Sequence, residues 1–236
     1  MADVRGVLFD KDGTLFDFHL SWGNWAAALL RDLTAGDEVA AARIGRAMGY
    51  DLAARRFDPD SPVIAGTPAE VVRILSPELP EMGPDALLAR INASAADAQM
   101  IPAVPLVPLL SGLRGRGLRL GVATNDAESP AQAHLKAAGI AGQFDFVAGF
   151  DSGHGAKPDA GMLLAFARAA RLAPETVLMV GDSTHDLLAG RAAGMRTVGV
   201  LTGPARLAEL APHADRLVRD IGALPALLDE LAGAPG

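Results

Sequence analysis

Two carboxylates at the end of an apolar run dominate this chain: Val7-Leu8-Phe9 leads straight into Asp10-Lys11-Asp12-Gly13-Thr14-Leu15. Carrying charge on the end of a buried strand is costly unless something compensates it. A divalent cation does so, and a carboxylate beside a metal can attack phosphorus. Three more polar turns lie further on, two of them directly after apolar runs and one ahead of the helix that follows Phe144–Ala148. They are Thr124-Asn125-Asp126, Lys157-Pro158 and Gly181-Asp182-Ser183-Thr184-His185-Asp186. Ligands of parallel sheets sit at the carboxyl ends of the strands, so four such turns meeting in one crevice form a site that no single turn would define.

The elements that must hold these turns alternate. Strands are expected near Val4–Phe9, Leu118–Ala123, Phe144–Ala148, Thr176–Val180, Thr197–Leu201 and Asp215–Val218. Helices are expected near Leu106–Arg116, Pro130–Ala138, Ala160–Arg171, Asp186–Ala193, Pro204–Leu210 and Leu224–Leu231, with Gly117, Gly139 and Gly194 as C-terminal caps. Strand–helix alternation with short connections predicts an α/β fold, a Rossmann-like doubly wound parallel sheet. Residues 18–100 break the rhythm. Helical patterning recurs over Trp22–Leu33, Glu38–Met48, Ala69–Leu75 and Ala86–Ala98, with no convincing strand between, and the connections are rich in Pro, Asp and Gly, as in Phe57-Asp58-Pro59-Asp60-Ser61-Pro62. The expected organisation is a core from residues 1–17 and 101–236 with an all-helical cap, 18–100, inserted after the first strand. Phe16–Phe18 and the proline-rich Ile101–Pro105 would be its hinges.

Bulk properties exclude several functions. A net charge of −7 advertises no surface for a nucleic acid polymer or an anionic membrane. The absence of cysteine removes disulfides, thiolate zinc sites and a cysteine nucleophile. Asp3 and Arg5 interrupt the N-terminus before any signal-like apolar run, and no stretch approaches a membrane span, so a cytoplasmic protein is expected. Asn92-Ala93-Ser94 matches a glycosylation sequon without a secretion signal to give it meaning. Of 21 basic residues only Lys11, Lys136 and Lys157 are lysine, which makes a lysine at a motif position informative.

Taken together, Asp10-Lys11-Asp12-Gly13-Thr14-Leu15, Thr124, Lys157-Pro158 and Gly181-Asp182-Ser183-x-x-Asp186 resemble, in order, the motifs of the haloacid dehalogenase superfamily. Within it the chain is similar to the phosphatases with a small helical cap, of the phosphoglycolate phosphatase group. The resemblance implies a magnesium-dependent phosphatase that hydrolyses a small phosphomonoester through an aspartyl-phosphate. Asp10 would be the nucleophile, and Asp12 would protonate the leaving oxygen and then act as base toward water. Mg2+ would be held by the Asp10 carboxylate, the Asp12 backbone carbonyl and Asp182. Thr124 and Lys157, with Asn125 beside them, would bind the phosphoryl group, and Asp186 would support the metal water or Lys157. The third motif departs from the family in lacking a second proline, Ala160 standing there, and a slightly different helix entry is expected.

Other readings compete. Asp-x-Asp also suits a calcium loop, but Gly13 comes too early for one. Asp182 and Asp186 could cap the following helix, and Asp17 could cap the first cap helix. Trp22 and Trp25 fit the cap core or the pocket lining, while His154 and His185 are expected to support the site or lie on the surface. Arg46, Arg55 and Arg56 could meet a substrate carboxylate or belong to a solvated face. A sugar-phosphate mutase on the same scaffold and a catalytically idle binding relative remain as alternative functions. Relatives that cleave carbon–halogen bonds lack the second aspartate. Those that cleave phosphonates use a cap lysine, and residues 18–100 contain none. A compact substrate such as phosphoglycolate, a short sugar phosphate or a nucleoside monophosphate is expected, with the protein a monomer or homodimer.

Overall fold

Along the first strand, β1 (Gly6–Phe9), successive side chains point to opposite faces, and both faces are buried. Val7 and Phe9 enter one apolar cluster and Leu8 another. A strand covered on both sides belongs in a parallel sheet flanked by helices, and the computed structural model, which describes residues 3–58, 60–64 and 66–233, has that arrangement. β1 is followed, after a long insert, by β4 (Arg119–Ala123), β5 (Phe146–Ala148), β6 (Val177–Gly181), β7 (Arg196–Val200) and β8 (Arg216–Val218). These six form one sheet in the order β5-β4-β1-β6-β7-β8, every pairing parallel. The expected doubly wound α/β core is what the chain forms.

Helices α5 (Leu106–Gly115) and α10 (Leu224–Gly233) cover the Val7/Phe9 face through Leu106, Leu110, Leu113, Leu224 and Leu227. Helix α7 (Gly161–Ala170) covers the opposite face with Met162, Leu163 and Phe166, joined by Ala189 of α8 (Thr184–Ala192). Gly121 in β4 is required here: a Cβ would lie 2.6 Å from the Phe166 ring and 2.9 Å from Leu8. The remaining core helices are α6 (Glu128–Ala137) and α9 (Leu207–Leu210). The latter is shorter than expected, since Pro204 and Ala205 stay in the preceding turn.

Strand order reverses about β1, where the chain winds outward through β4 and β5 and then returns through β6, β7 and β8. The crevice at such a switch point is where ligands bind. Register makes it a single place, because Phe9 stands opposite both Val122 and Val180. The residues after β1, β4 and β6 therefore emerge side by side.

The insert holds α1 (Phe18–Leu33), α2 (Glu38–Ala47), α3 (Pro68–Leu75) and α4 (Pro84–Ala96), and its buried side chains, among them Leu30, Ile44, Tyr50 and Leu75, form a third cluster apart from the sheet's two. Asp17 caps α1, its Oδ1 accepting from Leu20 N at 2.9 Å, and Thr67 and Glu70 form a capping box on α3. An all-helical insert needs one addition, a ribbon of β2 (Tyr50–Asp51) and β3 (Arg56–Phe57). Strands of two residues are too short to show alternation. The ribbon is held by Tyr50 packed on Phe57, with ring centroids 4.8 Å apart, and by the Tyr50 hydroxyl donating to the Gly23 carbonyl at 2.5 Å. Chain entry and exit run together: Asp17 N donates to Ile101 O at 2.8 Å and Ala103 N to Leu15 O at 2.9 Å. Pro59 of the expected Pro/Asp connection lies outside the described residues, as do residues 1–2 and 234–236 of the expected core. Among the described residues no helix is long and apolar enough to cross a membrane.

Candidate active site

Lys157 is the hub. Its ammonium, buried beneath the strand ends, donates to Asp10 Oδ1 and Asp186 Oδ1, both at 2.6 Å, and to the Ala123 carbonyl at 2.8 Å. Asn125 fixes the lysine backbone from both sides: Lys157 N donates to Asn125 Oδ1 at 2.8 Å, and Asn125 Nδ2 donates to Lys157 O at 2.9 Å. The amide of Asn125, expected at the substrate, thus positions the lysine. Burial pushes Lys157 toward neutrality, but the two carboxylates outweigh it and hold the ammonium above its usual range.

Asp186 has both uses that its position allowed. Its Oδ2 accepts from Ser183 N at 3.0 Å and from Ser183 Oγ at 2.7 Å, closing a capping box on α8, while Oδ1 faces Lys157. Asp182 stands between two glycines. A Cβ on Gly13 would lie 2.3 Å from Asp182 Oδ2, and one on Gly203 only 1.6 Å away. Thr14 Oγ1 donates to its Oδ1 at 3.4 Å.

Asp10, Asp182 and Asp186 offer oxygens within 4.8 Å of one another, and all are buried. Burial and mutual repulsion, only partly relieved by Lys157, push Asp10 up to about 7, and burial with Asp10 and Asp186 pushes Asp182 well above the carboxylate range. Among the described residues, one bonded ammonium for three buried carboxylates leaves a deficit that a hard divalent cation with oxygen ligands would fill. The residues fit such an ion.

Asp12 is built differently. Its Oδ1 accepts from Lys11 Nζ and from Trp22 Nε1, each at 2.7 Å. Lys11 is fully buried, 3.4 Å from Asp126 Oδ2, 3.1 Å from His134 Nδ1 and 5.1 Å from the centre of the Trp22 ring. Burial works against its charge, but Asp12 and Asp126 prevail and raise it. His134 touches the insert through Nε2, 2.6 Å from the Ala95 carbonyl, and burial beside Lys11 drops it to about 4. Sequence reasoning gave His134 no role, and its 123-residue separation from Lys11 carries no spacing signal. The rarity of lysine was the one available hint toward Lys11.

Thr124 is buried at the end of β4, its Oγ1 accepting from Asp126 N at 3.1 Å. Asp10, Asp12, Thr124, Asn125, Lys157, Asp182 and Asp186, the full expected set, border one cavity of about 120 Å³. Trp22 and Trp25 border it too while packing edge to face at 4.8 Å, so both of their expected uses hold. His185 lies beside Asp186 on the cavity wall, whereas His154 stacks on Phe146 away from it. Arg46, Arg55 and Arg56 are exposed and none borders the cavity, which fits the solvated face that was one of their two expected readings. Their α2 and ribbon positions turn them to solvent.

Comparison with known proteins agrees with this geometry. A family model described as haloacid dehalogenase-like hydrolase matches residues 4–194. A phosphoglycolate phosphatase of Rhodospirillum rubrum is 34% identical over 214 residues, covering 86% of this chain and 81% of the relative. A probable phosphatase, IndB, of Dickeya dadantii is 33% identical over 241 residues, covering 97% and 96%. In fold, the chain is similar to a haloacid dehalogenase family hydrolase from Deinococcus radiodurans crystallised with phosphate and sodium, at TM-score 0.67 and 22% identity over 98% of each chain. With the family model spanning most of the sequence, the chain belongs to the haloacid dehalogenase-like hydrolases.

Proposed function

We propose that this hydrolase is a phosphatase that cleaves a small phosphomonoester at Asp10, working in the cytoplasm on a soluble metabolite. The observation that carries the reading is the buried cluster of Asp10, Asp182 and Asp186 around one lysine, with Asp12 beside it on the same cavity.

Asp10 attacks phosphorus, forming a bond from its carboxylate oxygen while the bond to the substrate's alcohol oxygen breaks. Asp12 gives its proton to that departing oxygen. Lys11 and Trp22 anchor Asp12 Oδ1, and the second oxygen is left to carry the proton. In the second half Asp12 takes a proton from water as the water oxygen bonds to phosphorus, and the acyl-phosphate bond breaks to release phosphate and restore Asp10. Thr124 and Lys157 hold phosphoryl oxygens, Lys157 offsetting the charge that grows on them. The Asp10 and Asp182 carboxylates and the Asp12 backbone carbonyl would hold Mg2+, which when bound neutralises phosphoryl charge. Asp186 and Asn125 set the lysine.

Residues 18–100 act in this reading as a cap over the crevice, with paired chain crossings at Asp17 and Ile101 as its hinge. Closure excludes water and restricts entry to small esters. Incubating the protein and Mg2+ with a panel of phosphomonoesters, with and without chelator, tests the proposal. Free phosphate, lost on chelation, is expected. An isomeric sugar phosphate would make it a mutase, and no turnover of any ester would make it an idle relative.

A further inference from the structure

The cavity above Asp10 has two chemically different ends. Its floor is polar, built from strand ends with Asp10, Thr124 and Asp182 and from the loop ahead of α7 with Lys157. Its roof comes from the insert and is apolar, with Phe18, Trp25, Phe57, Ile64, Val71 and Ile91. Among the described residues, no charged side chain of the insert borders it. Both indole N–H groups on that side are committed, Trp22 to Asp12 and Trp25 to Ser94 Oγ at 3.1 Å. Arg55 faces outward and donates to Asn24 Oδ1 at 3.1 Å on the outside. The whole cavity, floor included, has a volume of about 120 Å³, which restricts the alcohol part to a compact group.

We propose that the site selects a compact phosphomonoester whose alcohol part is uncharged and apolar, an arylalkyl or branched alkyl phosphate, over esters that carry a second anionic group. This rests on the phosphatase reading above. With the phosphoryl group on the floor, the alcohol part lies against the roof. A carboxylate there loses its water against aromatic and branched walls and gains no cation in exchange. It also adds negative charge to a site that already holds three buried carboxylates. An apolar group has neither cost and fills the space. His185 borders the cavity from α8, a core helix, beside Asp186, and is not part of the insert's roof.

Comparing kcat/KM for 2-phenylethyl phosphate, isobutyl phosphate and phosphoglycolate tests the selection, since all three release an alkoxide. Glycolate is the most acidic of these alcohols, so intrinsic reactivity favours phosphoglycolate and cannot produce the expected preference. The apolar esters are expected to lead by roughly tenfold or more. In Ile64→Arg, which adds a cation to a half-buried part of the roof, that ratio is expected to fall toward one. Because it is a ratio within one preparation, incomplete folding does not alter it. Phosphoglycolate turned over as well as or better than both apolar esters would overturn the substrate class while leaving the phosphatase intact. An unchanged ratio in Ile64→Arg would overturn the roof as its origin. No hydrolysis of any ester would overturn both readings.

Discussion

The indole N–H of Trp22, on the first helix of the insert, donates to Asp12 Oδ1 at 2.7 Å. One of the two carboxylates of the opening motif is therefore oriented by a residue outside the sheet that carries it. Trp22→Phe keeps most of the packing and removes this bond. A fall of roughly tenfold in kcat is expected for alkyl esters, whose leaving oxygen needs a proton. The loss should be smaller for p-nitrophenyl phosphate, whose leaving group does not. Equal losses on both would mean that Trp22 only fills space.

Lys157 joins Asp10 to Asp186 with two bonds of 2.6 Å. Removing one partner from a buried ionic cluster leaves uncompensated charge and costs about 3–5 kcal/mol. Lys157→Met should therefore lose stability in chelator near neutral pH and regain part of it with Mg2+, while turnover falls in both conditions. Denaturant melts measure this directly. A variant as stable as the parent in chelator would contradict the hub role.

These relationships differ in how far the sequence foretold them. Asp10 and Asp182 were legible because each follows a short apolar run, and parallel strands bring their carboxyl ends together. The register that sets Phe9 opposite Val122 and Val180 makes that expectation concrete. Lys157 was legible from its place ahead of the helix after β5 and from the rarity of lysine. Asp17 as a helix cap was legible from local chemistry alone. The environment of Lys11 was not, since His134 and Trp22 reach it from separate helices at no characteristic spacing. The Tyr50–Phe57 ribbon was invisible because two residues per strand show no alternation. Much of the apolar roof was illegible for a related reason: Phe18, Val71 and Ile91 look like ordinary helix core until the fold shows that they also border a cavity, whereas pocket lining was already one reading of Trp25.

Gly203 allows Asp182 its position, since an added Cβ would stand 1.6 Å from Asp182 Oδ2. Gly203→Ala must displace that carboxylate. The Mg2+ concentration for half-maximal activity should rise by roughly tenfold or more, with an unchanged circular dichroism spectrum. An unaltered metal requirement would contradict Asp182 as a ligand.

Without metal, Asp10 holds its proton up to about 7, against 3.8 for a free carboxyl. Between those values the folded chain keeps a proton that the unfolded chain has released, so this group's contribution to stability falls as pH rises. Asp182 acts in the same direction. His134, lowered to about 4 from 6.5, opposes them, and its contribution falls as pH drops below 6.5. Mg2+ has to displace protons from Asp10 and Asp182 but not from His134. The gain in Tm on adding Mg2+ should therefore be small at about pH 5 and large at about pH 8. Equal gains at both would contradict an ion held by these carboxylates.

The most direct test of the account is to quench the protein in acid during steady turnover and locate the phosphoryl group by peptide mass spectrometry. The peptide containing Asp10 is predicted to carry it, and Asp10→Asn is predicted to lose both the label and turnover by roughly 10³-fold or more. A phosphoryl group on any other residue, or turnover undiminished in Asp10→Asn, would contradict it.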